Sequence, residues 1–309
     1  MRIALFGQAA FGQQVLGGLL DAGHDMAGVY APEPSGGKED PLAAAGRERG
    51  VPVRTPKSYR TAEVAAEVRS LGADLGVLAF VTKIIPEAVI SAPALGTICF
   101  HPSLLPRYRG GSALAWQLIR GEREGGFTVF WTDAGIDTGP ILLQRKIAID
   151  ADDTAGSLYF DKIFAPGVAG MVEAAGLIGE GKAPRIPQDE SRATYDPLCT
   201  DEHAAIAWEK PAREVYDLIR GCDPQPGGHT TFRGQKVRLY AARRLDGGPD
   251  GAAPGTVVGV GPDGIVVAAG AGGDAGRIAI TRARATEGKQ AAAEVAAALG
   301  IDAGDRLGG

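Results

Sequence analysis

The sequence has few cysteines and no excess of positive charge. Its three cysteines, Cys99, Cys199 and Cys222, are widely spaced in 309 residues and form no Cys-x-x-Cys pair, which disfavours a disulfide framework and a cysteine zinc site. The 32 Lys and Arg stand against 37 Asp and Glu, a formal net charge of −5. The long-range electrostatic field therefore does not favour binding to nucleic acid or to an anionic membrane. A polyanion could bind only at a local basic patch.

Long uninterrupted hydrophobic runs are lacking as well. The apolar N-terminus, MRIALFGQAAFGQQVLGGLL, is broken by glycine and glutamine, and it fits a strand that turns into a helix better than a signal peptide. We therefore expect a cytoplasmic protein that neither spans nor binds a membrane.

The length predicts two domains, at about 150 residues each. In the first part, apolar or β-branched runs alternate with helical patterns, which predicts an α/β fold with a doubly wound, mostly parallel sheet. Its predicted strands are residues 2–6, 26–30, 74–80, 96–100 and 127–131. We place the first domain at residues 1–182, a linker rich in proline and charge at 183–205, and a smaller β-rich, barrel-like domain at 206–309.

Only four histidines are present, and His101 has the clearest context for catalysis. It ends the apolar run LGTICF and precedes Pro-Ser-Leu-Leu-Pro, so a buried strand should bring the imidazole to its carboxyl end. Ligands of open α/β sheets bind at that edge. A histidine that only makes a hydrogen bond at a strand end is the alternative interpretation.

The second candidate is the loop TDAGIDTGPILLQ at residues 132–144, in which Asp133 and Asp137 alternate with Gly135 and Gly139. Glycine lets the backbone approach a planar ligand, and an enclosed carboxylate can accept and return a proton. An ordinary Asp-Gly turn would look the same. Together with His101, an acid of this loop would supply a polarising group and a proton carrier, as acyl transfer from an activated amide requires.

A nicotinamide dinucleotide is not expected as a cofactor. Gly7 and Gly12 follow the first strand, but their spacing differs from G-x-G-x-x-G. No acidic residue closes the second strand, where a ribose-binding carboxylate would be needed. We interpret Lys38, Glu39 and Asp40, together with the acids of the linker, as solvated surface.

Two segments, HPSLLPRYRGGSALAWQLIRGE at 101–122 and DAGIDTGPILLQ at 133–144, together resemble the folate-dependent formyltransferase superfamily. Within it the sequence is most similar to the 10-formyltetrahydrofolate hydrolase domain of 10-formyltetrahydrofolate dehydrogenases, through KEDPLAAAGRERGVPV, GGFTVFWTDAGIDTG and KAPRIPQDESRATY. Methionyl-tRNA formyltransferases come next. The resemblance implies a Rossmann-like catalytic domain, a smaller β-rich C-terminal domain and 10-formyltetrahydrofolate as the formyl donor, without a metal ion.

The resemblance also implies roles for individual residues. His101 matches the catalytic histidine of the family and Asp137 its catalytic aspartate. His101 would polarise the formyl oxygen, while Asp137, directly or through water, would relay a proton from the nucleophile to the folate nitrogen. The pterin ring is expected between the 133–137 loop and the segment 78–86. The candidate folate-binding residues are Phe80, Ile84, Asp133 and Gly135.

Cys99 departs from the pattern of the family. Many members have Asn at this position, two residues before the histidine, where the amide supports the oxyanion. A thiol is a weaker donor, and loss of one such donor costs on the order of 2.7–4 kcal/mol. Because the hydrolase domains also lack this Asn, we interpret Cys99 as a subfamily feature and a candidate catalytic residue. A nucleophilic thiol and an inert buried side chain are the two alternatives.

Three formyl acceptors remain open: water, a small amine and methionyl-tRNA. Residues 206–309 carry 13 Lys and Arg against 12 Asp and Glu, so the smaller domain lacks the charge typical of an RNA-binding module, although basic residues cluster at 233–244 and at Arg282 and Arg284. We therefore expect formyl transfer to a small amine or to water. Methionyl-tRNA formyltransferase is the alternative, and a non-catalytic folate-binding protein is a remote one. Oxidation of the formyl group is not expected of this chain alone.

Overall fold

The computed structural model describes residues 1–245, 251–286 and 288–308. The chain divides into two compact units. Unit 1 consists of Met1–Gly110, Gly126–Ile147 and Phe160–Tyr195, and unit 2 of Gly111–Gly125, Ala148–Tyr159 and Asp196–Gly309. The segment predicted as a linker is therefore shared between the units, with residues 183–195 in unit 1 and 196–205 in unit 2.

The elements of the described residues follow in chain order. The strands are β1 Arg2–Gly7, β2 Asp25–Tyr30, β3 Val53–Arg54, β4 Leu75–Ala79, β5 Thr97–His101, β6 Arg109–Gly110, β7 Glu124–Trp131, β8 Ile141–Ala148, β9 Tyr195–Asp196, β10 Gly228–Phe232, β11 Gln235–Leu245, β12 Val257–Gly261, β13 Gly264–Ala269, β14 Gly276–Arg284 and β15 Gln290–Ala291. The α-helices are α1 Ala9–Asp21, α2 Pro41–Glu48, α3 Ala62–Ser70, α4 Glu87–Ile90, α5 Ala113–Ile119, α6 Ala155–Ser157, α7 Phe164–Gly179, α8 Ala212–Gly221 and α9 Ala292–Leu299. A π-helical segment, Leu158–Ile163, joins α6 to α7.

Unit 1 is built on a seven-stranded sheet with the order β3-β2-β1-β4-β5-β7-β8. The first five strands in this order are parallel, and β7 runs antiparallel to β5. Every residue of β4 is buried, as expected for a strand with both faces covered by other elements. The predicted α/β sheet is confirmed. The two-residue strand β3 was not predicted, because it is too short to give a periodic pattern.

The helical segment 155–179 is long and apolar enough to cross a membrane by length and composition. A core helix passes the same test, and 39% of the apolar window is buried inside the molecule. Within unit 1, α7 packs against α1 and buries Met171, Ala174, Ala175 and Ile178. Packing against α1 therefore accounts for the apolar face of α7.

Unit 2 is built on an antiparallel sheet with the order β10-β11-β14-β13-β12, and β15 pairs with β14. Buried and less buried residues alternate along the first part of β14, where Ile278 and Ile280 face the core, because successive side chains of a strand point to opposite faces. These side chains share a core with Trp208 and with Val215 and Ile219 of α8. The predicted β-rich C-terminal region is confirmed.

Candidate active site

His101 occupies the last position of β5, at the carboxyl edge of the parallel strands. The residue is 6% exposed, and its Nε2 lies 2.7 Å from the carbonyl oxygen of Tyr108. A carbonyl oxygen only accepts, so Nε2 carries a hydrogen and donates it. Tyr108 has a left-handed φ of 61°, and its N–H donates to Oγ1 of Thr194 over 2.7 Å. A strained backbone held by a further hydrogen bond thus fixes the imidazole.

Asp137 lies in the loop between β7 and β8. It also has a left-handed φ, 57°, and its side chain is 17% exposed. Gly110 donates its backbone N–H to Oδ2 over 2.8 Å. The carboxylate is therefore oriented by the segment that follows His101 along the chain.

The two candidate catalytic groups face each other, with Nδ1 of His101 3.5 Å from Oδ2 of Asp137. Because Nε2 holds its own hydrogen, Nδ1 of a neutral ring can present only a lone pair to the carboxylate. Two facing acceptors repel each other, and one proton held by either group relieves the repulsion. The pair is thus arranged to hold one exchangeable proton, as general acid–base catalysis requires.

The other polar candidates of this loop determine its shape. Oδ1 of Asp133 accepts from the N–H of Gly135 over 3.0 Å and from Oγ1 of Thr138 over 2.6 Å. A Cβ atom on Gly135 would lie 2.0 Å from that same Oγ1, so glycine is required there. These contacts hold the turn that presents Asp137, and a folate contact of Asp133 or Gly135 stays a prediction.

Three large apolar side chains are exposed along this part of unit 1. Leu78 pairs with Cys99 in register, so Phe80, the residue after β4, lies at the same edge of the sheet as His101, the last residue of β5. Phe80 is 41% exposed, Ile84 66% and Ile136 47%. Phe80 and Ile84 are therefore not core residues, and their contact with a folate stays a prediction.

Ile84 also lines a cavity of about 290 Å³. The remaining side chains around this cavity include three cations, Lys57, Arg60 and Lys83. Nζ of Lys83 donates to the carbonyl oxygen of Lys57 over 3.1 Å. The cavity therefore combines an apolar wall with positive charge, which suits a ligand that carries carboxylates.

Cys99 lies on β5 two residues before His101, so the two side chains share one face of the sheet. It packs against a core that contains Phe6 and Leu78. Burial, and then the negative charge of Asp137, raise the pKa of its thiol. A thiol held neutral is a poor nucleophile, which favours the inert role.

Among the residues that the structure describes, no three His, Cys, Asp or Glu side chains are grouped as a metal site requires.

The turn after β1 is occupied by a carboxylate of the chain itself. Both oxygens of Asp40 accept from the N–H of Ala9, the first residue of α1, over 3.0 and 2.9 Å. Oδ1 also accepts from the N–H of Leu42 and so caps α2. The interpretation of Asp40 as solvated surface is wrong, because this side chain neutralises two helix N-termini.

The linker acids were also interpreted as solvated surface. For Asp196 this is wrong because its side chain is buried, whereas Glu190 is exposed but is paired with a cation. Glu190 accepts from Nη1 and Nη2 of Arg109 over 2.9 and 2.6 Å. Asp196 is 3% exposed and pairs with Arg120. An irregular segment rich in proline and charge has no periodicity from which such partners can be deduced.

Two family models match the chain. They are described as formyl transferase, over residues 1–175, and formyl transferase C-terminal domain, over residues 199–298. The chain belongs to the formyl transferase family.

Two relatives illustrate the range of this enzyme family. The chain is 45% identical over 251 residues to the mitochondrial 10-formyltetrahydrofolate dehydrogenase of Homo sapiens, a match that covers 80% of this chain but only 27% of the dehydrogenase. It is 37% identical over 278 residues to the methionyl-tRNA formyltransferase of Moorella thermoacetica, which covers 88% of this chain and 89% of that enzyme. The chain thus spans about a quarter of the dehydrogenases that it matches and nearly all of the tRNA enzyme.

Solved structures share the fold. HypX from Aquifex aeolicus, in complex with tetrahydrofolic acid, superimposes with a TM-score of 0.68 at 22% identity, over 95% of this chain and 46% of HypX. The N-formyltransferase of Helicobacter canadensis, solved with folinic acid and dTDP-3-aminofucose, has a TM-score of 0.68 at 17% identity, over 90% of this chain and 98% of its own. The predicted combination of a Rossmann-like domain with a smaller β-rich domain is confirmed.

Sequence reasoning missed three residues that hold the two candidate catalytic groups. They are Tyr108, Gly110 and Gln188, which contact His101 or Asp137 through backbone atoms. The signal that could have found the first two is their position in RYRG, directly after the proline-rich segment that follows His101. Gln188 lies about fifty residues beyond Asp137. The only signal for it in the sequence is its position in KAPRIPQDESRATY, a segment that resembles the hydrolase domains.

Proposed function

We propose that this formyl transferase takes the formyl group from 10-formyltetrahydrofolate and passes it to water or to a small amine, with His101 and Asp137 as the catalytic pair. The observation that carries the proposal is the 3.5 Å approach of Nδ1 of His101 to Oδ2 of Asp137 at the carboxyl edge of the sheet. One group of this pair can donate a hydrogen bond while the other accepts a proton.

The proton balance of the reaction follows from this geometry. Asp137 accepts a proton from the attacking water or amine as the nucleophile bonds to the formyl carbon. His101, with a hydrogen on Nδ1, donates to the formyl oxygen as negative charge develops there. The carbon–nitrogen bond to N10 of the folate then breaks, and the proton passes from Asp137 to that nitrogen. With water as the nucleophile, the products are tetrahydrofolate and formic acid, which releases its proton to solvent and becomes formate.

Two features support a folate as the donor. The exposed side chains of Phe80, Ile84 and Ile136 offer apolar surface to a pterin and its benzoyl group. The cavity beside Ile84 contains Lys57, Arg60 and Lys83, which suits the glutamate carboxylates of a folate. The tetrahydrofolate complex of a protein with the same fold is consistent with this donor.

The turn after β1 argues against a nucleotide cofactor and against a phosphorylated acceptor bound there. Phosphates of dinucleotides bind at the N-terminus of the first helix in such folds. In this chain Asp40 accepts the N–H of Ala9 at that place. A second negative charge would meet repulsion there, so a neutral acceptor is favoured.

Methionyl-tRNA is a second candidate acceptor, because the 37% identical enzyme of Moorella thermoacetica matches over nearly its whole length. Arg282 and Arg284 on β14 lie opposite Tyr240 and Arg238 of β11. However, Lys236 and Arg238 both pair with Asp201, which reduces the charge left for phosphates. This balance favours the small acceptor.

The experiment is tetrahydrofolate release from 10-formyltetrahydrofolate, measured for the wild type and Asp137→Asn. Asn keeps an acceptor for the N–H of Gly110 but cannot take a proton, so we expect a loss of about 10²–10⁴-fold. Release in water alone supports hydrolysis, and release that requires an added amine or methionyl-tRNA identifies the acceptor. Tight tetrahydrofolate binding without release under any condition would overturn the catalytic proposal in favour of a folate-binding protein.

A further inference from the structure

Gln188 connects the backbone of the catalytic loop to an ion pair between the buried Arg109 and the exposed Glu190. Its Nε2 donates to the carbonyl oxygen of Asp137 over 2.9 Å and to that of Gly139 over 2.7 Å. Its Oε1 accepts from Nε and Nη2 of Arg109 over 3.1 and 2.8 Å. One amide therefore bridges two carbonyl oxygens of the loop and the guanidinium that follows the His101 segment.

The orientation of this amide is determined by its partners. A carbonyl oxygen can only accept and a guanidinium can only donate, so the reversed amide would place like groups against each other at all four contacts. Arg109 is 6% exposed and is held in turn by Glu190. This pairing raises the pKa of Arg109 and lowers that of Glu190, so the chain of contacts stays charged near neutral pH.

The backbone of Asp137 needs this support. Its φ of 57° costs on the order of 1–3 kcal/mol in a residue other than glycine, and such a conformation persists only where several contacts determine it. The N–H of Gly110 holds the carboxylate, while Gln188 holds the backbone carbonyl of the same residue. Without Gln188, the loop could relax and move Oδ2 away from His101.

We infer that Gln188 is a positioning residue for formyl transfer, which acts by holding the strained backbone of Asp137 and is itself fixed by Arg109. It contacts neither the donor nor the acceptor in this role. The inference rests on the proposed function, because it assigns Gln188 to the reaction in which Asp137 moves the proton.

The first test replaces Gln188 by Met, which keeps the length of the side chain and removes all four hydrogen bonds. We expect kcat for tetrahydrofolate release to fall about 10- to 100-fold, as for other residues that orient a catalytic group. The KM for 10-formyltetrahydrofolate and the Kd for tetrahydrofolate should stay within about threefold, since only the transition state needs the aligned carboxylate.

Gln117→Met is the matched control. Gln117 is 1% exposed and donates to the carbonyl oxygen of Ala113 in α5, so this change also removes a buried amide. It should lower the melting temperature and leave kcat unchanged. A fall in kcat that merely follows lost stability in both variants would overturn the inference.

A double-mutant cycle with Asp137→Asn decides whether Gln188 acts through Asp137. Once the carboxylate cannot take a proton, its alignment no longer matters, so Asp137→Asn/Gln188→Met should be no slower than Asp137→Asn alone. Wild-type kcat in Gln188→Met, or an equal loss in both backgrounds, would refute the positioning role while leaving the proposed function intact. If Asp137→Asn is as active as the wild type, the proposed function fails, and this inference fails with it.

Should Gln188→Met not fold, Glu190→Gln provides the second variant. Glu190 is exposed and lies one contact further from Asp137, so its loss leaves Arg109 and Gln188 in place but weakens the pairing that fixes them. A smaller fall in kcat, again absent in the Asp137→Asn background, would support the inference, and an unchanged kcat would oppose it.

Discussion

Nε2 of His101 donates a hydrogen bond to the carbonyl oxygen of Tyr108 over 2.7 Å. In the proposed mechanism, this single contact determines which nitrogen of the ring takes part in the reaction. The hydrogen on Nε2 is committed to a backbone acceptor, so only Nδ1, which faces Asp137, can gain or lose a proton as the reaction proceeds.

The imidazole tautomer can be observed directly. We expect Nε2 of His101 to show the nitrogen chemical shift of a protonated ring nitrogen in the native protein, because it donates to the carbonyl oxygen of Tyr108. Long-range ¹H–¹⁵N correlation spectra, assigned by comparison with a His101→Gln sample, would check this. The chemical shift of an unprotonated nitrogen at Nε2 would contradict the hydrogen bond to Tyr108.

Cys99 is expected to be chemically inert in the native protein. Burial, with the nearby charge of Asp137, raises the pKa of its thiol, so almost no thiolate exists near neutral pH. We expect iodoacetamide to modify Cys99 only after unfolding, as peptide mass spectrometry would report. Cys99→Ala should keep kcat within about tenfold of the wild type, whereas loss of a covalent nucleophile costs on the order of 10⁶-fold. A larger loss would restore the nucleophilic interpretation.

The position of His101 could be predicted because the information is contiguous. An apolar run, a histidine and two prolines define a strand end within the twelve residues 95–106, and parallel strands place that end at the ligand-binding edge. The residues alone could not choose between Asp133 and Asp137, which differ by only four positions in a glycine-rich loop. In the structure the difference is one of partners: Asp133 caps its own turn, while Asp137 faces His101.

The supporting contacts could not be predicted from the sequence for a different reason. Asp40 acts on Ala9 and Gln188 acts on Asp137 across 31 and 51 positions, and only the folded chain brings these atoms together. Both residues lie in polar segments without periodicity, where a solvated surface has the same composition. Both side chains bond to backbone atoms, which every residue has, so the residue type of the partner gives no sign of the contact.

Gly139 is expected to tolerate no side chain. A Cβ atom there would lie 1.7 Å from the carbonyl oxygen of Trp131, and neither backbone segment can yield without moving the loop that presents Asp137. Displacement of a catalytic group by about 1 Å can cost about 100-fold in rate. We therefore expect Gly139→Ala to lower kcat by that order and to reduce the free energy of unfolding, measured by tetrahydrofolate release and urea denaturation.

Gly176→Ala is the matched control for that substitution. It lies inside α7, and a Cβ atom there would meet nothing within 4 Å. Alanine is the better helix former by about 0.5–1 kcal/mol, so the free energy of unfolding should rise by roughly this amount while kcat stays unchanged. A loss of activity in this variant would mean that the effect of Gly139→Ala is not specific to the catalytic loop.

Asp201 should make the stability of the protein depend on pH in the acidic range. Arg238 donates to both of its carboxylate oxygens over 2.6 and 2.7 Å, and Lys236 adds a third contact at 3.0 Å. These bonds, those from Arg238 first, hold the pKa of Asp201 well below its usual range. A carboxyl group with a lowered pKa in the folded state stabilises the protein above its unfolded pKa of about 3.9, and this contribution is lost as the pH falls from there toward the folded value.

Asp201→Asn tests this contribution. Because the side chain of Asp201 is 44% exposed, solvent screens the pairing, and we expect a loss of at most about 1 kcal/mol in the free energy of unfolding at pH 7. Urea denaturation of both proteins should give a difference that is constant from pH 7 to about 5, shrinks below about pH 4 and decreases with added salt. If this difference in the free energy of unfolding grew as the pH fell, or did not change with added salt, Asp201 would stabilise the fold by packing and not by its charge.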